Sequence, residues 1–141
     1  MTAQADAVRI DAIVFDCLDA APLARFWAGA LGWQIAPYDD DELARLATKG
    51  IDDPEDDPSV MVEPPEGSDA PTLFFTEVPE DKITKNRVHL DITADVEVED
   101  EVERLQALGA TVRNWVEEGG ALWCVMHDPE GNEFCVVEPE G

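Results

Sequence analysis

The sequence contains one pattern of apolar runs and turns twice, and this internal repeat constrains the fold more than any other feature. Late in the chain, WCVM is followed by Pro129-Glu130-Gly131, by FCVV and by Glu138-Pro139-Glu140. Earlier, SVMV is followed by Pro65-Glu66-Gly67, by an apolar run at 73–75 and by Val78-Pro79-Glu80. Because Pro fixes φ and Gly permits positive φ, each Pro-Glu-Gly turn between apolar runs predicts a β-hairpin. The repeat therefore predicts two modules, each closed by a hairpin.

The chain before the first hairpin predicts a strand, a helix and a second strand. Val8–Cys17 is rich in β-branched and apolar residues, which favours a largely buried strand. Asp19 is placed to cap a helix that ends at Gly32, and Trp33–Pro37 begins the next strand. The apolar face of that helix is predicted from helical spacing. It comprises Leu23, Phe26, Trp27, Ala30 and Leu31.

The segment 38–58 is the least regular part of the first module. Leu43–Ala47 is compatible with a short strand or a helical turn, and the pattern does not decide between them. Asp52–Pro58 is rich in Pro and acidic residues, which predicts a loop able to lie over a site. The hairpin Ser59–Val78 then closes the module.

The second module repeats the order. Arg87–Thr93 alternates as a strand does, Asp95 is expected to cap a helix ending at Gly109, and Thr111–Trp115 predicts the next strand before the hairpin Ala121–Val137. The stripe of this helix comprises Val98, Val102, Leu105 and Leu108. We therefore expect a single α+β domain over residues 1–141. It consists of tandem βαβββ modules at about 8–79 and 87–138, joined by a polar connector at 80–86.

Composition excludes several classes of partner. The chain has 33 Asp and Glu against nine Lys and Arg, a net charge of −24, so it has no basic footprint for nucleic acid or an anionic membrane. Cys17, Cys124 and Cys135 lie in apolar runs without CxxC spacing, which favours buried free thiols in a reducing compartment. No apolar run reaches membrane-spanning length, and a cytoplasmic location is expected.

Four motifs resemble the vicinal oxygen chelate superfamily, which has the glyoxalase/bleomycin resistance/dioxygenase fold, and within it the short bacterial glyoxalase-like domain proteins. They are Ala24–Trp33 (ARFWAGALGW), Asn86–Asp91 (NRVHLD), Val102–Ala110 (VERLQALGA) and Asp128–Val136 (DPEGNEFCV). The resemblance implies that the two βαβββ modules form a cupped mixed β-sheet cleft with helices packed outside. It also implies a homodimer. It does not fix a reaction, since one fold supports many functions.

The resemblance also implies where a metal would bind. In metal-dependent members, each module supplies one ligand from its first strand and one, usually Glu, from its last. An offset of 77 between the helix ends pairs Ala12 with His89, and an offset of 60 between the Val78-Pro79 and Glu138-Pro139 strand ends pairs Phe75 with Cys135. Ala and Phe cannot ligate, so no metal or other cofactor is predicted unless the ligands are relocated, for example to Glu77 or Glu133.

Several of these residues are expected to line the cleft. His89 is either a general base or hydrogen-bond donor, or a remnant ligand position held by Asp91. Cys135 is either a nucleophile or soft ligand or, as we favour, a buried inert thiol. The remaining candidates are Phe75 as an apolar wall, Glu133 as a cleft carboxylate or an exposed strand-end acid, Asp16 and Thr93 as polar contacts, and Trp33 and Trp123 as stacking or core residues.

Three functions follow from this set. The favoured hypothesis is a metal-independent protein that binds a small, partly apolar organic molecule. The second is an isomerase or lyase that uses His89 as a base, or a metal enzyme with relocated ligands, so catalysis stays an open question. The third is an acidic module that binds a basic protein.

Overall fold

The protein is described by a computed structural model that covers residues 8–139 and contains two four-stranded mixed sheets. The first sheet has the order β1-β4-β3-β2, with β1 and β4 parallel and the other pairs antiparallel. Its module comprises β1 (Ala12–Cys17), α1 (Ala20–Leu31), β2 (Gln34–Ile35), α2 (Asp40–Thr48), β3 (Ser59–Glu63) and β4 (Thr72–Glu77), with a 3-10 turn at Pro54–Asp56.

The second sheet repeats this topology with the order β5-β8-β7-β6, in which β5 and β8 are parallel. Its module comprises β5 (Leu90–Thr93), α3 (Val98–Leu108), β6 (Thr111–Glu118), β7 (Ala121–His127) and β8 (Glu133–Val137). The predicted α+β fold with two repeated modules is confirmed. The first module differs by the additional helix α2.

One open alternative is resolved and two local predictions need correction. The segment Leu43–Ala47 belongs to helix α2, whose N-terminus is capped by the Asp39 carboxylate accepting from the backbone N–H of Glu42 at 2.8 Å. Helix α3 begins after Glu97 rather than Asp95, without a side-chain cap. The strands predicted from position 8 and from position 87 begin only at Ala12 and Leu90, because backbone pairing with β4 and β8 begins there.

Helix α1 lies at the centre of the hydrophobic core. Its predicted apolar face is confirmed: Leu23, Phe26, Trp27 and Ala30 are buried, and Leu31 packs at the edge. Trp27 contacts Phe15 of the first module and Phe134 of the second, with ring centroids 5.3 and 5.0 Å away. One core therefore serves both modules.

The second module holds both ends of α1. The Glu130 carboxylate accepts hydrogen bonds from the backbone N–H groups of Leu18 and Asp19 at 2.7 and 3.0 Å, next to the helix N-terminus. Asp19 occupies the cap position but its own side chain makes no cap bond. At the other end, the Arg104 guanidinium donates to the carbonyls of Gly29 and Ala30. Both contacts place charge where it complements the helix dipole.

The Asp128–Asn132 turn makes a buried contact with the same helix. The Asp128 carboxylate accepts from Trp27 Nε1 at 3.0 Å, and also from the backbone N–H groups of Glu130 and Asn132 and from Asn132 Nδ2. Asp128 is 3% exposed, so its bond to Trp27 is shielded from water. Within the described residues, no helix is both long and apolar enough to cross a membrane.

Candidate functional site

The first strand of module two and its neighbour bring three potential ligands together. Asp91 of β5 pairs with Cys135 of β8, and His89 lies two residues before Asp91, on the same face. The ligand atoms of His89, Asp91 and Cys135 all lie within 4.8 Å of one another. We call these residues the β5–β8 cluster.

The β5–β8 cluster is open on one side and buried on the other. His89 Nε2 lies 3.2 Å from Asp91 Oδ1, and their side chains are 45% and 57% exposed. Cys135 is only 8% exposed. Burial raises the pKa of the Cys135 thiol, and the charge of Asp91 and a hydrogen bond to it raise that pKa further. Without a metal, Cys135 is therefore a protonated thiol rather than an activated nucleophile.

The matching positions of module one are apolar. Val14 of β1 pairs with Phe74 of β4 as Asp91 pairs with Cys135, and Ala12 lies two residues before Val14. We call Ala12, Val14 and Phe74 the β1–β4 cluster. It has no side-chain donor atom. A cavity of about 420 Å³, lined by Phe74 and by residues of α2, lies on this face.

The prediction that Phe75 matches Cys135 needs correction by one residue. Phe75 is fully buried on the helix side, where its ring stacks on Phe15 at 4.9 Å. In the strand pairing, β4 and β8 correspond with an offset of 61, not the offset of 60 measured from the Pro residues. A shift of one residue reverses the face of every side chain in a strand. Phe74 is therefore the counterpart of Cys135.

A cleft of about 290 Å³ lies between the first strands of the two modules. Its apolar wall is formed by residues of both modules and of α1, namely Ile13, Val14, Phe15, Trp27, Leu90 and Phe134. Its polar groups are His89, Asp16, Glu133, Asn86, Arg87 and Asn132. A larger groove of about 1060 Å³ opens beyond Asp16, but its lining of acidic turn and connector residues is less apolar in proportion. The inter-module cleft is the better pocket for an organic molecule.

Glu133 is a buried carboxylate rather than an exposed strand-end acid. Burial by itself raises the pKa of Glu133, but hydrogen bonds from the backbone N–H groups of Asn86 and of Glu133 itself, together with the Lys82 ammonium, lower it to about 2. Asn86 N lies 3.0 Å and Lys82 Nζ 3.3 Å from the carboxylate oxygens. Glu133 thus fixes the connector at the cleft.

The other candidates occupy different places. Glu77 accepts from the backbone N–H of Ala20 at 3.1 Å and is used as a cap of α1. Trp33 packs against the core, and Thr93 lies exposed near the end of α1, away from the cleft. Trp123 pairs with Val137, two residues beyond Cys135 on the same face, and it does not line the cleft.

Sequence reasoning gave Asp91 only the role of a partner to His89. The available signal was strand parity, since His89 and Asp91 are two residues apart in RVHLD. Its proximity to Cys135 was not visible, because that contact depends on the register between β5 and β8.

The residues present do not fit the four-ligand metal site that the resemblance implies. His89 and Cys135 offer donor atoms, whereas Ala12 and Phe74 offer none. Relocation to Glu77 or Glu133 is also disfavoured, because both carboxylates are used by backbone N–H groups. A metal site with ligands from both modules would therefore lack every ligand that module one should supply.

Comparisons with known proteins agree with this architecture. Residues 12–137 match the family model described as a glyoxalase-like domain. No curated protein sequence matches the chain. Similar solved structures include a glyoxalase/bleomycin resistance protein/dioxygenase family enzyme from Burkholderia phytofirmans PsJN, with 16% identity, a TM-score of 0.63 and coverage of 91% of this chain and 96% of that one.

Two further structures have the same fold. The fosfomycin resistance protein FosX from Mesorhizobium loti has 10% identity and a TM-score of 0.61, with 95% of this chain and 93% of that one covered. A glyoxalase-related enzyme from Fulvimarina pelagi has 17% identity and a TM-score of 0.61, with 93% and 88% covered. At these identities the likeness shows the fold alone.

Proposed function

Since the chain belongs to the glyoxalase-like domain family, we propose that it binds a small, partly apolar organic molecule in the inter-module cleft without a family-type metal site. The observation that carries this proposal is the wall of Ile13, Phe15, Trp27, Leu90 and Phe134 around the cleft. Small-molecule sites combine such a wall with a few polar groups that fix orientation.

The polar groups of the cleft define how such a molecule is oriented. Asn86 and Asn132 offer amide groups, and His89 can donate or accept a hydrogen bond. Asp16 and Glu133 add carboxylates, and Glu133 is held ionised by its contacts. Arg87 adds a guanidinium, so the cleft offers charged partners of both signs at its rim.

The neutral fluorescent probe N-phenyl-1-naphthylamine tests this proposal. We expect a saturable rise in its fluorescence with the wild-type protein. Val14 lines the cleft and is 56% exposed, so Val14→Trp fills the cleft with little cost to the core and should weaken binding by about tenfold or more. Leu43→Trp on α2, where the side chain is 40% exposed, is the matched control and should bind as the wild type does.

Either of two results would refute the cleft as the binding site. One is fluorescence that rises without saturation, as for weak surface adsorption. The other is equal loss of binding in Val14→Trp and Leu43→Trp.

Proton-transfer catalysis is the second candidate, and it is favoured by the His89–Asp91 pair at the edge of the cleft. A carboxylate 3.2 Å from one ring nitrogen orients an imidazole for use as a base. The test is deuterium exchange from D₂O into small 2-hydroxy ketones, followed by NMR. Exchange that is catalysed by the wild type and lost in His89→Ala supports the role, and exchange that is unchanged in His89→Ala removes it.

A further inference from the structure

We propose that His89, Asp91 and Cys135 form a three-ligand zinc site contained wholly in module two. This site differs from the four-ligand arrangement that the resemblance implies, because all its ligands come from one module and Asp91 supplies the third. It goes beyond the cleft-binding proposal and does not depend on it. Zinc binding and probe binding are measured separately, and either can fail alone.

The backbone of two paired strands sets the spacing of these ligands. Asp91 and Cys135 are direct partners in the parallel β5–β8 pair, and His89 precedes Asp91 by two residues. The three donor atoms lie within 4.8 Å of one another, and His89 Nε2 is 3.2 Å from Asp91 Oδ1. Around a tetrahedral zinc with ordinary bond lengths, ligand atoms are about 3.3–3.6 Å apart. Small side-chain rotations are therefore enough to close the site.

The donor types favour zinc over the hard cations. A thiolate, an imidazole and a carboxylate are all common zinc ligands, whereas Mg²⁺ and Ca²⁺ prefer sets made only of oxygen. The thiol of Cys135 is more than nine-tenths buried and forms the floor of the site. His89 and Asp91 are half exposed, so a fourth coordination position would face solvent. Three protein ligands with an open position are typical of catalytic rather than structural zinc.

Binding requires one proton to leave. The Cys135 S–H bond breaks, a sulfur–zinc bond forms, and the proton passes to solvent, with no change of oxidation state. Without an ion, His89 and Asp91 are in ion-pair contact beside the buried Cys135 thiol, so the three ligands are already gathered at one place.

Cobalt distinguishes this site from the acidic surface. The chain carries 33 Asp and Glu, which can bind divalent ions weakly through oxygen alone. Co²⁺ bound by a thiolate shows a sulfur-to-cobalt charge-transfer band in the near ultraviolet, and Co²⁺ bound by carboxylates does not. We therefore propose anaerobic Co²⁺ titration of the untagged protein in excess Ca²⁺, followed by displacement with Zn²⁺ and calorimetry of Zn²⁺ binding.

The variants assign the ligands. We expect one ion per chain in the wild type, with the charge-transfer band present. Cys135→Ser should abolish the band, while Asp91→Asn and His89→Gln should weaken zinc binding by about 100-fold or more, since even residues that only support a ligand cost 10–100-fold. His127→Gln changes the only other histidine of the chain and should bind as the wild type does.

Far-ultraviolet circular dichroism checks that each variant folds. Asp91→Asn alters a half-exposed side chain and is the variant expected to keep the native fold, so it decides the outcome if Cys135→Ser does not fold. The proposal is overturned if the wild type shows no charge-transfer band. It is equally overturned if Asp91→Asn and His89→Gln bind zinc as tightly as His127→Gln.

Discussion

The two modules share a topology but differ on the sheet faces that point away from the hydrophobic core. In module two, His89 just before β5, Asp91 of β5 and Cys135 of β8 supply donor atoms. In module one the equivalent positions carry Ala12, Val14 and Phe74, which are apolar. The comparison teaches that the repeat fixes positions without fixing chemistry, since equivalent positions carry donor atoms in one module and apolar side chains in the other.

The hairpin turns differ in the same way. The Asp128–Asn132 turn of module two reaches α1 through the buried bond from Trp27 Nε1 to Asp128 and through Glu130 at the helix N-terminus. The Pro65-Glu66-Gly67 turn of module one is exposed. Similar sequences therefore form a contact between the modules in one case and a solvated turn in the other.

The largest effect on stability is expected at Asp128, the buried carboxylate of the module-two turn. Asp128→Ala removes the acceptor of four hydrogen bonds and leaves the Trp27 N–H buried without a partner, so the free energy of unfolding should fall by about 3 kcal/mol. Asp69→Ala, in the exposed loop of the first hairpin, should change it by less than about 0.5 kcal/mol. Urea denaturation of both variants measures the difference, and equal losses would show that the turns are equivalent.

A second metal site can be built into module one if the clusters are truly equivalent. The triple variant Ala12→His, Val14→Asp, Phe74→Cys reproduces the ligands of module two at the paired positions. Calorimetry should give two zinc ions per chain instead of one. At a zinc concentration 100 times the dissociation constant, the added ion should raise stability by about 2.7 kcal/mol.

The double variant Ala12→His, Val14→Asp, which keeps Phe74, is the control for this design. It lacks the thiolate and should bind a single tight ion. A stoichiometry of one in the folded triple variant would show that the β1–β4 and β5–β8 clusters are not interchangeable.

A smaller loss is expected from the cap that module two provides for α1. Glu130→Ala leaves the N–H groups of Leu18 and Asp19 without their acceptor and removes a negative charge from the helix N-terminus. The free energy of unfolding should fall by about 1–2 kcal/mol. Glu66→Ala, at the same place in the first Pro-Glu-Gly turn, should have no measurable effect. Thermal denaturation of both variants measures the two losses of stability. A loss in Glu66→Ala as large as that in Glu130→Ala would contradict the difference between the two turns.

The smallest effect should act on both modules alike. A net charge of −24 repels itself within a compact fold, and moderate salt screens that repulsion. The melting temperature should rise by about 2–5 °C between low and moderate ionic strength. A melting temperature that is flat over this range would show that self-repulsion does not limit stability.

Much of the fold could be predicted from local patterns. The two hairpins, the apolar face of α1 and the ends of the helices at Gly32 and Gly109 are signalled by residues close together in sequence. Helix α2 was ambiguous because it buries only Leu46 among its residues, so its apolar periodicity is weak. Its N-terminus was nonetheless encoded by Asp39, whose cap is local.

The parts that could not be predicted depend on distant contacts. Whether Phe74 or Phe75 is the counterpart of Cys135 depends on the register of β4 against β1, and Pro residues beyond the strand end misplace that register by one. Glu77 caps α1 at a residue 57 positions away in sequence. Glu130 does so at residues 112 and 111 positions away. No local pattern marks such pairs, and the β5–β8 cluster is of the same kind.

The most direct test of the central claim is the position of zinc in crystals of the untagged wild-type protein grown with Zn²⁺. An anomalous difference map at the zinc absorption edge locates the ion without reference to any assumed ligand. The asymmetry of the modules predicts one strong peak bonded to His89, Asp91 and Cys135, and no peak at Ala12, Val14 and Phe74. A map with no peak at the β5–β8 cluster, or with zinc only among surface carboxylates, would contradict it.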